Sequence, residues 1–318
     1  MNNIAVLTSG GDCPGMNACI RSVVRYGISQ GLKVFGVNRG YQGLIDDDIK
    51  LMTERTVGNI IHMGGTILKT ARCKEFMTPE GVDKAVENLK KRKIDGIVVI
   101  GGDGTFKGAR ELEKRGILIA CVPGTIDNNL YYTDYTLGYD TATNTVVNLI
   151  NNVRDTSVSH DRVTIVEVMG AGCGDLALNA GLAAGADVIL VPEVKWSIDE
   201  VAEKLLEAKK HGKQCSIICL SEHVCDPADL AKMIQVKSGI ESRFVILGHV
   251  QRGGIPTAFD RNLATNFGAK AVEHLMQGEC GVVGFRFGKY IFVSVEEALN
   301  GNRKFNVDEY LLAQRLSF

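Results

Sequence analysis

The stretch that most constrains what this chain can fold into is Gly101-Gly102-Asp103-Gly104-Thr105, set between an apolar run and a helical one. Residues 97–100 are Ile, Val, Val and Ile behind Gly96, the pattern of a short strand buried on both faces. Residues 106–115 carry helical spacing and stop at Gly116. Strand, glycine turn and helix in that order bring bare N–H groups and a helix N-terminus to the carboxyl edge of a parallel sheet, where phosphate oxygens are favoured. Asp103 would repel a bare phosphate but suits one reached through a divalent cation such as Mg2+. A tight turn in which the aspartate caps the helix explains the same five residues, and on these alone the two readings stand level.

The construction recurs upstream. Residues 3–7 read as a strand, Thr8-Ser9-Gly10-Gly11-Asp12-Cys13-Pro14-Gly15 as a second glycine turn, 16–30 as a helix ended by Gly31, and 33–37 as the next strand. Neither turn fits Gly-x-Gly-x-x-Gly, and no acidic residue closes 33–37 to hold a ribose, which argues against a nicotinamide-binding domain. Arg21 and Arg25 share a helix face, as a solvated surface or as a pair for one anion. Arg72 ends a polar turn that begins at Gly64-Gly65-Thr66 and offers a guanidinium for bidentate contact with phosphate. Residues 80–91 read as an amphipathic helix, and 117–122 as a strand that turns polar at Pro123-Gly124-Thr125-Ile126-Asp127-Asn128-Asn129. Asp127 is therefore expected to face a crevice shared with Asp103, one carboxylate holding metal and the other taking a proton.

The second half repeats the plan. Residues 161–168 read as a strand, Met169-Gly170-Ala171-Gly172-Cys173-Gly174-Asp175 as a glycine turn, 176–184 as a helix and 187–191 as a strand. Its faint likeness to residues 9–18 points to two α/β domains of related build. Residues 197–211 form a helix with Ser197 as N-cap, and 216–220 a strand ending at Ser221-Glu222-His223. Residues 244–247 form a strand, with Arg243 at its start, that ends at Gly248-His249-Val250-Gln251-Arg252-Gly253-Gly254. His249 and Arg252 beside three glycines suit a second phosphate, although a lone histidine there would more often be structural. A helix over 259–276 precedes a C-terminal stretch with no clear pattern. The expected fold is α/β, with two Rossmann-like three-layer domains whose mainly parallel sheets face a shared cleft.

Composition narrows the partners. A chain of 318 residues can hold two domains, and a formal net charge of -1 offers no general field for nucleic acid or an anionic membrane. No apolar run approaches the roughly 18 residues of a membrane span, and Met1-Asn2-Asn3-Ile4 does not begin a signal peptide. Nine scattered cysteines without a Cys-x-x-Cys pair suit a reducing, cytoplasmic setting. Cys215 and Cys219 would share one strand face, but structural zinc normally takes four closer ligands, and buried thiols fit better.

The glycine pentapeptide alone says kinase-like and no more. Taken jointly, Thr8-Ser9-Gly10-Gly11-Asp12, Gly101-Gly102-Asp103-Gly104-Thr105, Pro123-Gly124-Thr125-Ile126-Asp127-Asn128 and Gly248-His249-Val250-Gln251-Arg252-Gly253-Gly254 resemble the bacterial-type ATP-dependent 6-phosphofructokinases, over residues 4–305 and nearly without gaps. The resemblance implies a homotetramer using fructose 6-phosphate and ATP. It implies a larger ATP-binding domain of residues 1–138 with 251–305, and a smaller sugar-phosphate-binding domain of 139–250 with 306–318. It assigns ATP to Gly11, Arg72, Cys73, Gly102, Asp103, Gly104 and Thr105, with Asp103 holding Mg2+. Asp127 becomes the general base on the sugar 1-hydroxyl, flanked by Thr125 and Ile126. Met169, Gly170, Glu222, His249 and Arg252 meet the sugar phosphate, joined by Arg162 and Arg243 from the adjoining subunit. Gly104 and Gly124 favour ATP, because pyrophosphate-using relatives tend to carry aspartate and lysine there.

The chain also departs from that pattern. Asn129 stands where aspartate is usual, Ala171 where arginine is usual, and Cys73 where phenylalanine is usual. Lost charges in such sites commonly cost about a hundredfold in rate each. This motivates a second reading, a weakly active paralogue serving as a sugar-phosphate or nucleotide sensor or as a partner subunit. The family's effector site, which takes ADP or phosphoenolpyruvate, matches Arg21, Arg25, Arg154, Asp187 and Lys213. Glu54, His211, Gln214 and Cys215 replace basic residues, and Asp187 a glutamate, so effector control is expected to be weakened or altered.

Overall fold

The apolar runs of the sequence form the middle of two sheets. The computed structural model describes residues 1–301 and 303–317. In chain order the elements begin with β1 (Asn3–Thr8), α1 (Met16–Ser29), β2 (Lys33–Val37), α2 (Gly40–Ile45), β3 (Ile49–Met52), α3 (Pro79–Lys91), β4 (Gly96–Gly101), α4 (Asp103–Glu113) and β5 (Leu118–Pro123). Then come α5 (Tyr139–Val158), β6 (Val163–Val168), α6 (Asp175–Ala183), β7 (Val188–Leu190), α7 (Ile198–Lys210), β8 (Ser216–Ser221), α8 (Pro227–Ser238) and β9 (Ser242–Ile246). The last elements are α9 (Ala258–Met276), β10 (Gly281–Arg286), β11 (Lys289–Val293), α10 (Val295–Asn300) and α11 (Val307–Arg315).

Two compact units result. The first comprises Met1–Ile126, Leu130–Thr141 and Arg252–Arg303; the second comprises Asp127–Asn129, Ala142–Gln251 and the residues from Lys304 onward. The first unit holds a sheet of order β11-β10-β5-β4-β1-β2-β3, parallel through its centre and antiparallel only in the β10–β11 and β2–β3 pairs. β1 and β4 are central and buried on both faces, which is why they read as unbroken apolar runs. Their register, Thr8 opposite Ile100, and that of Gly101 opposite Pro123, bring the ends of β1, β4 and β5 level. α3 is bounded as its sequence requires: Thr78 accepts from the N–H of Gly81, Pro79 opens the first turn, and Lys90 and Lys91 close the last.

The second unit is a four-stranded parallel sheet of order β7-β8-β6-β9. Val166, Ala177, Ile189, Ile217 and Cys219 belong to one of its cores, and Ile165, Leu190, Leu205, Ile218 and Leu230 to another. β9 lies at an edge, and Phe244, Val245 and Ile246 are all exposed on it.

Several elements differ from the sequence reading. α4 begins at Asp103 rather than 106, because the N–H groups of Thr105 and Phe106 already bond to the Gly102 carbonyl; Gly102 is the N-cap and Asp103 lies within the first turn. β9 begins at Ser242, so Arg243 stands at its start as the second residue, and the strand ends one residue earlier than 247. The C-terminal stretch without clear pattern contains β10, β11, α10 and α11, and α2, β3, α5 and α8 lie where the sequence pattern marks no element. Cys219 is fully buried in β8, whereas Cys215 lies one residue ahead of that strand and is partly exposed. Among the described residues no helix is long and apolar enough to cross a membrane.

Candidate active site

Three turns leave the first unit's sheet side by side. The Ser9 N–H donates to the Ile100 carbonyl at 3.0 Å, and the Gly124 N–H to the Gly101 carbonyl at 2.9 Å. Contact between the first two turns is so close that a Cβ on Gly101 would stand 2.5 Å from both the Ser9 carbonyl oxygen and Thr105 Oγ1. Only glycine fits there. Beneath α4, the Tyr41 hydroxyl donates to the Thr105 carbonyl at 2.5 Å, fixing the helix start from the buried side.

The loop carrying Arg72 and Cys73 is tied to the same edge. Asn17 donates to the carbonyls of Met63 and Gly64 and accepts from the Ile67 N–H at 2.8 Å. Thr70 donates to the Gly10 carbonyl at 2.6 Å. Arg72 is exposed, whereas Cys73 is half-buried, accepts from the Phe76 N–H and packs on the core under the sheet. Gly64 in turn abuts the Gly254 carbonyl oxygen, 2.4 Å from where a Cβ would lie. From the segment before Gly254, Arg252 reaches Gly11: a Cβ there would meet Nη1 at 2.6 Å. The buried Nε of Arg252 has no partner among the described residues. Gly11, the Arg72 loop, residues 102–105 and Arg252 thus share one sheet edge.

Asp103 projects from the first turn of α4 and is exposed, yet neighbouring atoms remove enough water to raise its carboxyl above the usual range, with Lys107 acting the other way. A positive helix end and open space around Gly102 and Gly104 surround it. A carboxylate oxygen with room for water beside it is a donor that could hold a divalent cation such as Mg2+. Thr125, Ile126 and Asp127 follow β5; Thr125 accepts from the Thr136 hydroxyl at 2.6 Å through its carbonyl, and Asp127 belongs to the second unit with Asn128 and Asn129.

In the second unit the turn after β6 is organised by Glu222. Its Oε1 accepts from the N–H groups of Gly170 (3.0 Å) and Ala171 (2.7 Å), while its own N–H donates to the Val168 carbonyl. Ala171 sits at φ 50, a left-handed conformation unusual for a residue with Cβ. Gln251, absent from the candidates, is fully buried; it accepts from the Met169 N–H at 3.1 Å and donates to the Gly248 carbonyl at 2.9 Å, clamping the segment that carries exposed His249. Its one sequence signal was a neutral amide between His249 and Arg252. Arg162 and Arg243 lie elsewhere: Arg162 precedes β6, and Arg243 pairs opposite Thr164. Six residues of strand, about 20 Å at ~3.3 Å each, separate that end from Met169.

Three of the residues matched to the effector region are engaged within the second unit. Lys213 pairs with the buried Asp187, which also accepts from the Ile217 N–H at 2.9 Å. Arg154 donates to the carbonyls of Ala184 and Gly185. Arg21 and Arg25 lie on α1, in the first unit.

Comparison with known proteins gives the following matches. The family model described as phosphofructokinase matches residues 3–275. The chain is 54% identical to proteins named ATP-dependent 6-phosphofructokinase from Clostridium novyi, over 319 residues, and from Alkaliphilus metalliredigens, over 318, covering 100% of both chains in each case. Among solved structures, phosphofructokinase from Saccharomyces cerevisiae superposes with a TM-score of 0.88 at 36% identity, over 94% of this chain and 45% of the yeast one. A pyrophosphate-dependent phosphofructokinase from Marinobacter aquaeolei superposes with a TM-score of 0.85 at 21% identity, over 97% and 86% of the two chains, a likeness of fold.

Proposed function

The chain belongs to the phosphofructokinase family, and from that premise we infer that it is an ATP-dependent 6-phosphofructokinase, moving the terminal phosphoryl group of ATP to the 1-hydroxyl of fructose 6-phosphate. The observation that carries the reading is identity of 54% running the whole length of both chains. The abutting glycine turns at the sheet edge support the reading.

Phosphoryl transfer asks a protein mainly for positioning and charge stabilisation. In our reading the N–H groups of residues 102–105 and Gly11, with Arg72 and Cys73, hold ATP, and Asp103 holds Mg2+, which offsets charge on the phosphate oxygens. Glu222, Met169, Gly170, His249 and Arg252 hold the sugar phosphate. Asp127 accepts the proton of the 1-hydroxyl as its oxygen bonds to the terminal phosphorus and the bond from that phosphorus to the ADP oxygen breaks, with Thr125 and Ile126 beside it. Placement of Asp127 within hydrogen-bond reach is what makes it a base. For the donor, Gly104 and Gly124 favour ATP over pyrophosphate in this reading, because larger charged side chains there would occupy the space of the ATP α-phosphate; nothing stands within 4 Å of where a Cβ on Gly104 would lie.

Arg162 and Arg243 serve a neighbouring copy in this reading, within a homotetramer. Their position at the opposite strand end from Met169 supports it, as do the three exposed apolar side chains on edge strand β9. Effector control is weakened, because Lys213 and Arg154 are engaged by Asp187 and by backbone carbonyls. Millimolar ADP or phosphoenolpyruvate should then leave the fructose 6-phosphate saturation curve nearly unmoved; a strong shift refutes this part.

A coupled assay tests the whole reading, with a panel of ketohexose 6-phosphates and with ATP or pyrophosphate as donor at fixed Mg2+. Turnover of fructose 6-phosphate with ATP, lost in Asp127→Ala, is the expected result. Ligand binding without turnover in the unaltered protein would instead support the sensor.

A further inference from the structure

Asp260 is fully buried, carries a carboxylate, and has no part in the chemistry described above. Its oxygens are turned to the start of a different helix. Oδ1 accepts from the Gly138 N–H at 2.9 Å, and Oδ2 from the Thr141 N–H at 2.8 Å and the Thr141 hydroxyl at 2.5 Å. Asp260, in the first turn of α9, thus caps the N-terminus of α5. The favour is returned: Thr257, the N-cap of α9, accepts from the Asp260 N–H at 3.2 Å and donates to Asp140 of α5 at 2.5 Å. Thr141 Oγ1 closes the ring by accepting from the Thr257 N–H at 3.0 Å. Two helix starts, each with orphan N–H groups and a positive end, are locked together through one carboxylate.

This ring sits behind the site. Gly15, which ends the first glycine turn, packs against Asp260, with the position of an added Cβ 3.7 Å from its carbonyl oxygen and 3.8 Å from its Cβ. Gly138, whose N–H Asp260 holds, packs on Cys13 and Pro14 of the same turn. A few residues before α9 the chain presents Arg252 to Gly11. Both partners of that contact therefore belong to segments anchored at Asp260.

We infer that Asp260 is a positioning residue for phosphoryl transfer: by capping α5 from the first turn of α9, its ionised carboxylate fixes Arg252 against the Gly11 turn. The inference rests on the phosphofructokinase reading of the site. Protonation would turn one of the two acceptor oxygens into a donor facing donors, and the ring would lose a bond. Burial, with the charge of Asp140 adding to it, raises this carboxyl to about 6 against the pull of its three donors, so the loss falls within an accessible range. Asp140 is the charged group facing it from α5; its own segment carries Arg252 and Arg261, and the packed turn carries Asp12 and the Cys13 thiol.

The test is steady-state kinetics on full-length Asp260→Asn between pH 5.5 and 8.5, with the melting temperature and oligomeric state followed in parallel. The asparagine keeps the shape and loses the charge. The expected result is a fall in kcat of roughly tenfold or more at pH 8. The unaltered enzyme should lose kcat as the pH falls through the range near 6, and in Asp260→Asn this acid limb should disappear. A folded variant whose kcat stays within threefold and whose acid limb is unmoved overturns the inference. If Asp260→Asn does not fold, Thr141→Val and Thr141→Ser decide: reduced kcat in the valine variant with recovery in the serine variant supports it, and wild-type rates in both overturn it. Absence of turnover in the unaltered protein would count against the parent reading, a result these variants cannot produce.

Discussion

Replacing Gly11 by alanine tests the geometry of the site directly. The backbone tolerates it, since Gly11 is exposed and lies outside the left-handed region. The difficulty is one side chain: the new Cβ would stand 2.6 Å from Arg252 Nη1 and 3.2 Å from Cζ. To restore ordinary contact the guanidinium must retreat by about 1 Å, and misplacement on that scale can cost ~100-fold. That corresponds to about 2.7 kcal/mol of transition-state stabilisation. Global stability should change by no more than ~0.5 kcal/mol, because the site is at the surface. The assay is a double-mutant cycle on kcat/KM for fructose 6-phosphate with Gly11→Ala, Arg252→Ala and the pair. If the loss in Gly11→Ala arises from displacing Arg252, adding it to Arg252→Ala should cost less than ~0.5 kcal/mol. Two penalties that simply add would refute the reasoning, because the glycine would then matter for something other than room for Arg252.

Other outcomes follow from the same structure. Lys213→Met leaves the buried Asp187 carboxylate with the Ile217 N–H but without its cation; because Lys213 is partly solvated, urea unfolding should show a loss of about 2 kcal/mol, below the ~3–5 kcal/mol of a fully buried pair. Asp260 gives stability a pH signature. Its folded carboxyl titrates near 6, above the ordinary 3.8, so the fold takes up a proton before the unfolded chain does and gains stability as pH falls from 7 towards 4. The urea midpoint of the unaltered protein should therefore rise between pH 7.5 and 5 relative to that of Asp260→Asn. Asp47 and Asp48, held below the usual range by Arg92 and Asn38, lose their contribution only at lower pH and do not blur that window. Asp127→Asn should lower kcat by ~100-fold or more, the usual scale for a lost general base, with ATP binding measured by calorimetry unchanged; a variant retaining a tenth of the turnover would exclude Asp127 as the base.

What was legible in the sequence followed from burial. β1 and β4 are covered on both faces, so their residues are uniformly apolar and the glycines after them stand out. α8 and α5 were missed for a different reason. Both are helices of mixed surface, and α5 mingles Asn, Thr and Asp with its apolar residues, so no clean stripe marks it. β11 was missed because it is a half-exposed edge strand, whose residues need not alternate strictly. At the site, Gly11, Asp103 and Arg252 were readable because glycine turns announce themselves, whereas Gln251 was not. Its role comes from being sealed between two backbone groups far apart in sequence, and no local pattern encodes that.

Edge strand β9 has a consequence for how the protein is handled and made. Phe244, Val245 and Ile246 stand open to water on a strand with an unused ladder of N–H and C=O groups. A newly released chain is thus sticky along this rim, and its yield on refolding should pass through an optimum with protein concentration: too dilute and copies fail to meet, too crowded and rims join out of register.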